Sequence, residues 1–179
     1  SETRAAETGA LMVAAYDDSG VFVGAGSVAL EFAEQAAFDT LLVAVGGGGL
    51  IAGCAAAIGQ GTKIVAVETE GTPTLHAALH AGQPVEVAIS GVAADALGAS
   101  RIGTPNFEVA QKLVRQSVLV TDDAVRAAQR TLWEELRVIA EPAGATGLAA
   151  LLSGAYTPAA GERVATLVCG ANTDLKTFL

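Results

Sequence analysis

The stretch Leu41-Leu42-Val43-Ala44-Val45-Gly46-Gly47-Gly48-Gly49-Leu50-Ile51-Ala52-Gly53 decides how this chain folds. Residues 41–45 form a short apolar run with β-branched content, which reads as a buried strand. Four glycines follow, and residues 50–58 then read as a helix. Glycine lets the backbone turn freely and leaves its amides unobstructed. Successive amides at a helix N-terminus form a concave patch of positive potential. The segment therefore reads as an anion site suited to a phosphate, and the plainer alternative is a tight turn that happens to be glycine-rich.

The remaining elements are read outward from this unit, and no internal repeat is evident. Residues 3–15 are Ala-rich and helix-forming, and Asp17-Asp18-Ser19-Gly20 marks a turn. Gly24-Ala25-Gly26-Ser27 reads as a loop, with Ser27 capping a helix that runs to about Ala36. A second buried strand is predicted over residues 64–67, ending at Glu68. Residues 70–106 are the least regular. Residues 107–115 read as a helix and 118–120 as a third strand. Thr121-Asp122-Asp123 opens a helix to about Arg137, with an N-cap and an acidic first turn. Glu141-Pro142 breaks the chain, residues 144–152 read as another helix, and residues 164–168 as the last strand. Strands alternating with helices predict an α/β domain of three layers, a mostly parallel sheet with helices on both faces. Such sheets bind ligands beyond the carboxyl ends of their strands. The tetraglycine, Glu68 and Cys169-Gly170-Ala171-Asn172 all fall there and are expected to share one crevice.

Composition narrows the function. Of the 179 residues 51% are hydrophobic and 16% charged, enough apolar material to bury a core. A net charge of −9 repels phosphate backbones, so nucleic acid is not an expected partner. No apolar run reaches the ~18 residues of a membrane span, and the N-terminal residues lack the layout of a signal peptide. The two cysteines, Cys54 and Cys169, lie far apart in apolar contexts, as free thiols of a cytoplasmic protein would. His76 and His80, four apart on a possible helix, could bind a metal, but no third ligand is evident near them and a surface pair is the plainer reading.

A dinucleotide competes for the glycine loop. Gly47-x-Gly49-x-x-Ala52 fits the loose G-x-G-x-x-G/A pattern, and Glu68 stands where a ribose-binding acid would. A non-enzymatic binding module is a second rival. Five segments taken in order favour a different reading. They are Gly24-Ala25-Gly26-Ser27-Val28-Ala29-Leu30-Glu31, then Val45 through Gly53, then Ala94-Asp95 with Leu97-Gly98-Ala99, then Glu141-Pro142-Ala143-Gly144-Ala145, and Cys169-Gly170-Ala171-Asn172. Together they resemble the second half of the threonine and serine dehydratases, serine racemases and hydroxyaspartate ammonia-lyases, which are fold-type II pyridoxal-phosphate (PLP) enzymes.

The resemblance implies specific roles. Gly46, Gly47, Gly48, Gly49 and Leu50 match the loop whose amides hold the PLP phosphate. Cys169 matches the residue that faces the pyridine nitrogen, and Glu141 matches a glutamate near the ring. Glu68 matches the first ligand of a divalent-cation (Mg or Ca) site in the racemase-like members. Their second acid is Thr74 here, and losing a hard anionic oxygen weakens such a site, though Glu70 could substitute. Ala96 stands where many relatives carry Gly or Ser. The resemblance further implies a homodimeric ammonia-lyase that acts on a small β-hydroxy amino acid. The family's cofactor-bearing lysine sits in a Ser-Phe-Lys-like motif near its N-terminus, and Lys63, Lys112 and Lys176 all lack that context. The expectation is a single partial domain over residues 1–179, the C-terminal part of the PLP-binding large domain, with the small domain and the lysine-bearing segment outside it and no catalytic residue of its own.

Overall fold

The computed structural model describes residues 2–178. Its sheet has the strands β1 (Thr40–Ala44), β2 (Lys63–Thr69), β3 (Val114–Val120) and β4 (Val164–Thr166), in the order β3-β2-β1-β4, with every neighbouring pair parallel. Alternate residues of a strand point to opposite faces, and the core divides accordingly. Leu41, Val43, Ile64 and Ala66 pack with α2 (Ser19–Gln35), α3 (Gly49–Ile58), α4 (Thr74–Ala81) and α6 (Thr104–Leu113). Leu42, Val65, Val67, Val118 and Val120 pack with α7 (Asp122–Leu136) and α8 (Pro142–Ser153). The three-layer parallel architecture expected from the alternation of elements is therefore present. After β1 the chain adds β2 and then β3 on one side, and β4 returns to the other side of β1. Strand order thus reverses between β1 and β4, and a crevice opens there at the carboxyl ends.

Several element limits differ from the sequence reading, each for a physical reason. Gly24, Ala25, Gly26 and Ser27 lie inside α2, not in a loop before it. The cap is Asp18, whose carboxylate accepts from the Gly20 amide at 2.7 Å, and the Ser27 hydroxyl donates to the Gly24 carbonyl. Gly26 and Gly53 serve contact between helices: a Cβ on Gly53 would lie 2.2 Å from the Phe22 carbonyl oxygen and 2.6 Å from the Gly26 nitrogen. The first helix, α1 (Glu2–Thr8), ends at Gly9 (φ +67°), well short of residue 15. Inside the irregular stretch lie α4 and the short α5 (Ala94–Leu97). β3 starts four residues earlier than predicted, because exposed Arg115 and Gln116 are tolerated on the outermost strand. β4 stops at Thr166, two residues early.

Candidate functional site

At the strand reversal, a cleft of about 440 Å³ is lined by Gly46–Leu50 on one wall and by Glu141, Ala143 and Cys169 on the other, with Tyr16, Ala96 and Leu97 also lining it. The glycine loop joins β1 directly to α3, and Gly48 is the N-cap residue with φ +88°. Among the described residues the amides of Gly46, Gly47 and Gly48 donate to no protein acceptor. Those of Gly49 and Leu50 belong to the first helical turn, which has no intrahelical acceptor.

Steric space shows why the residues are glycines. A Cβ on Gly46 would stand 3.0 Å from the Leu97 Cα, and one on Gly47 only 2.1 Å from the Tyr16 ring. At Gly48 a side chain would meet Ile102 at 2.8 Å, in a left-handed conformation that favours glycine. Gly49 differs, since its nearest neighbour is an ordinary 3.5 Å away. Three of the four positions are thus fixed by close approach, and the fourth leaves the first helical turn uncovered.

The opposite wall is a turn locked to the start of α8. The Glu141 amide donates to the Gly170 carbonyl at 3.0 Å, and the Glu141 carboxylate accepts from the Asn172 amide at 3.1 Å. Gly170 has φ +72°, and any Cβ there would strike the Glu141 carboxylate. Gly144 lies against Cys169, with space for a Cβ only 2.1 Å from its carbonyl oxygen. Burial, reinforced by the Glu141 carboxylate, pushes the Cys169 thiol above its ordinary range. It is therefore a neutral S–H at pH 7.

Glu68 is brought near the loop but not into the cleft. It is fully buried at the end of β2. Its oxygens accept from the Leu75 amide (2.7 Å) and the His76 amide (2.8 Å), with the Thr74 and Ser117 hydroxyls at 3.2 and 3.3 Å. Burial still pushes its carboxyl up to about 7, against the lowering effect of these donors. A carboxylate spent on the first turn of α4 cannot reach a ribose, which removes the structural basis of the dinucleotide reading. Among the described residues no group of three or more His, Cys, Asp or Glu side chains could hold a metal ion. Glu70 is exposed and lines a separate surface hollow with Asp122 and Asp123. His76 and His80 do lie together on α4, their ring centroids 4.6 Å apart. Here the His76 imidazole pairs with the Ser117 hydroxyl, while that of His80 pairs with the His76 carbonyl.

Among the described residues no lysine lines the cleft. Lys63 opens β2 at the far end of the sheet, with its ammonium 3.1 Å from the Tyr156 hydroxyl, Lys112 is exposed on α6, and Lys176 is exposed near the C-terminus. Sequence reasoning missed Tyr16 and Asn106. A tyrosine beside an Asp-Asp turn was the available clue to the first. Asn106 gave none, since a polar residue on a helix reads as exposed, yet it is fully buried.

The comparisons with known proteins agree with this geometry. The chain is 36% identical over 176 residues to phenylserine dehydratase of Ralstonia pickettii, covering 96% of this chain and 54% of that protein. It is 39% identical to the biosynthetic L-threonine dehydratase of Escherichia coli K12, covering 94% of this chain and 34% of that protein. Among solved structures, maize serine racemase superposes with a TM-score of 0.89 at 32% identity, covering 98% of this chain and 56% of that one. The T.th. threonine deaminase gives 0.89 at 30% identity, with 97% and 65% covered. The chain thus spans roughly a third to a half of the curated relatives it matches. Residues 1–170 match the family described as pyridoxal-phosphate dependent enzyme, and with the fold, the open amides and the cleft in agreement, the chain belongs to that family.

Proposed function

We propose that Gly46–Leu50 holds the PLP phosphate, that Cys169 faces the pyridine nitrogen and Glu141 lies beside the ring. We further propose that the longer protein eliminates water and ammonia from a threonine- or serine-like β-hydroxy amino acid to leave a 2-oxo acid. One observation carries the reading: a run of uncommitted amides at the start of α3 and the Cys169 thiol line the same cleft. The donor set fits the group, with hydrogen-bond donors for a dianionic phosphate and a cleft wall with no charge at Cys169.

The bound cofactor supplies the electron sink for cleavage at the α-carbon. The chain's own residues set how strong that sink is. A thiol held protonated offers the ring nitrogen only a weak donor and no negative partner, so the nitrogen stays largely unprotonated. A weaker sink suits a β-hydroxyl that departs readily. Gly170 and the Asn172 amide hold Glu141 against its own turn. Leu97 and Tyr16 flank the glycine loop and limit water on the phosphate side.

The phosphate site is tested by titrating the chain with PLP or inorganic phosphate. Gly47→Val with Gly48→Val fills the space occupied by Tyr16 and Ile102 and should abolish binding; unchanged affinity in a folded variant refutes the assignment. Turnover is a separate matter. Incubated with PLP and threonine or serine, these 179 residues should form no 2-oxo acid, because none of the described lysines reaches the cleft. General-base help alone is worth about 10²–10⁴ in rate. Catalytic turnover with Lys176 labelled after borohydride trapping would overturn this expectation.

A further inference from the structure

We infer that Asn106 and Thr74, neither of which lines the cleft, are positioning residues that aim the loop amides at the phosphate; the inference rests on the phosphate reading above. In a trans peptide the carbonyl of one residue and the N–H of the next point in opposite directions, and the described residues contain no cis bond. Whatever holds a loop carbonyl outward therefore turns the following amide inward.

Three consecutive carbonyls are held in this way. The Thr74 hydroxyl donates to the Gly46 carbonyl at 2.6 Å. The Gly47 carbonyl accepts from Asn106 Nδ2 at 2.9 Å and from the Gly103 amide at 3.1 Å. The Gly48 carbonyl accepts from the Ala52 amide at 3.0 Å. The amides of Gly47, Gly48 and Gly49 are left facing the cleft. Four glycines could adopt many other conformations. The sequence of the loop therefore permits the nest, and side chains from α4 and α6 select it.

Asn106 shows what this selection costs. Its Nδ2 spends both protons, one on the Gly47 carbonyl and one on the Tyr16 carbonyl at 2.6 Å, while its Oδ1 is buried without a partner among the described residues. Flipping the amide would set that oxygen against two carbonyls, so the orientation is dictated by its neighbours. An orphaned buried oxygen is unfavourable. Its retention makes sense where the nitrogen's two bonds set the loop and the strand of chain carrying Tyr16 in one arrangement. Thr74 links the loop backward as well, through its contact with buried Glu68.

The test follows the ¹⁵N–¹H shifts of Gly47, Gly48 and Gly49 in the chain during titration with inorganic phosphate. Asn106→Leu and Thr74→Val should each raise Kd about tenfold or more, the scale of one lost hydrogen bond. Thr74→Ser, which keeps the hydroxyl, should bind within about threefold of the parent. A role confined to packing of the Thr74 methyl would not be rescued in this way by serine, which lacks it. If the parent binds phosphate at these amides and the Leu and Val variants bind equally well, the positioning role is wrong. If the parent shows no phosphate shifts at these glycines, the cradle reading fails and the inference falls with it.

Discussion

Gly144→Ala isolates the contact that holds the Cys169 wall in place. The added Cβ would lie 2.1 Å from the Cys169 carbonyl oxygen and 3.1 Å from its backbone carbon and nitrogen. All three are main-chain atoms, so no side chain can swing aside. Relieving the overlap requires the turn and α8 to part by about 1 Å. Overpacking of this kind costs roughly 1–3 kcal/mol, and a backbone obstacle places Gly144 towards the upper end. Helix propensity returns somewhat under ~1 kcal/mol, because alanine is the better helix former. The net loss of about 2 kcal/mol corresponds to a fall in Tm of roughly 4–8 °C for a domain of this size. Gly154→Ala is the control: its φ is +77°, but nothing lies within 4 Å of its Cβ position. It should cost only the ~1 kcal/mol of a left-handed alanine. Thermal unfolding and PLP titration of both variants separate the two effects. Gly144→Ala should lose stability and cofactor affinity together, and Gly154→Ala a little stability alone. A Gly144→Ala protein that melts within about 2 °C of the parent and binds PLP equally would show that α8 does not set the position of Cys169.

Further outcomes follow from the same structure. Burial raises Glu68 from 4.5 to about 7, so between those values the folded chain keeps a proton that the unfolded chain has released. Stability present below pH 4.5 is then lost as pH rises to about 7, on the order of 3 kcal/mol. Urea unfolding at pH 5 and pH 8 should show that slope in the parent and not in Glu68→Gln, and equal slopes would count against it. Cys169, held protonated by burial and by Glu141, should alkylate more slowly than a free thiol at pH 7.5, and Glu141→Gln should speed it. Cys54, fully buried and pushed up to about 11, should not react until the chain unfolds. Asp18→Ala should cost about 1 kcal/mol in chemical denaturation by removing the cap of α2; no change would place that helix start elsewhere.

The strand–glycine–helix unit was legible because every level of its sequence agrees: β-branched residues where the strand is buried, and glycines where Tyr16, Leu97 and Ile102 leave no space. Gly46 to Leu50, Glu141 and Cys169 accordingly fall around one cleft. What could not be read depends on tertiary partners. The start of α4 is supplied by Glu68 from another element, so the local sequence carries no cap. The glycines of α2 serve contact with α3 and imitate a loop. Asn106 reaches Gly47 across 59 positions of sequence, beyond any local pattern.

The reversal of strand order also governs how the cleft can assemble during synthesis. The glycine wall is framed by β1, α3, α4 and α6, all complete by Leu113. The Cys169 wall must wait for β4, which pairs with β1 across more than 120 positions through only three residues. Closing so long a loop is the slow part of forming such a sheet. A nascent chain therefore completes the loop that we propose holds the phosphate well before the Cys169 wall can form, and closure of the cleft marks the arrival of the last strand.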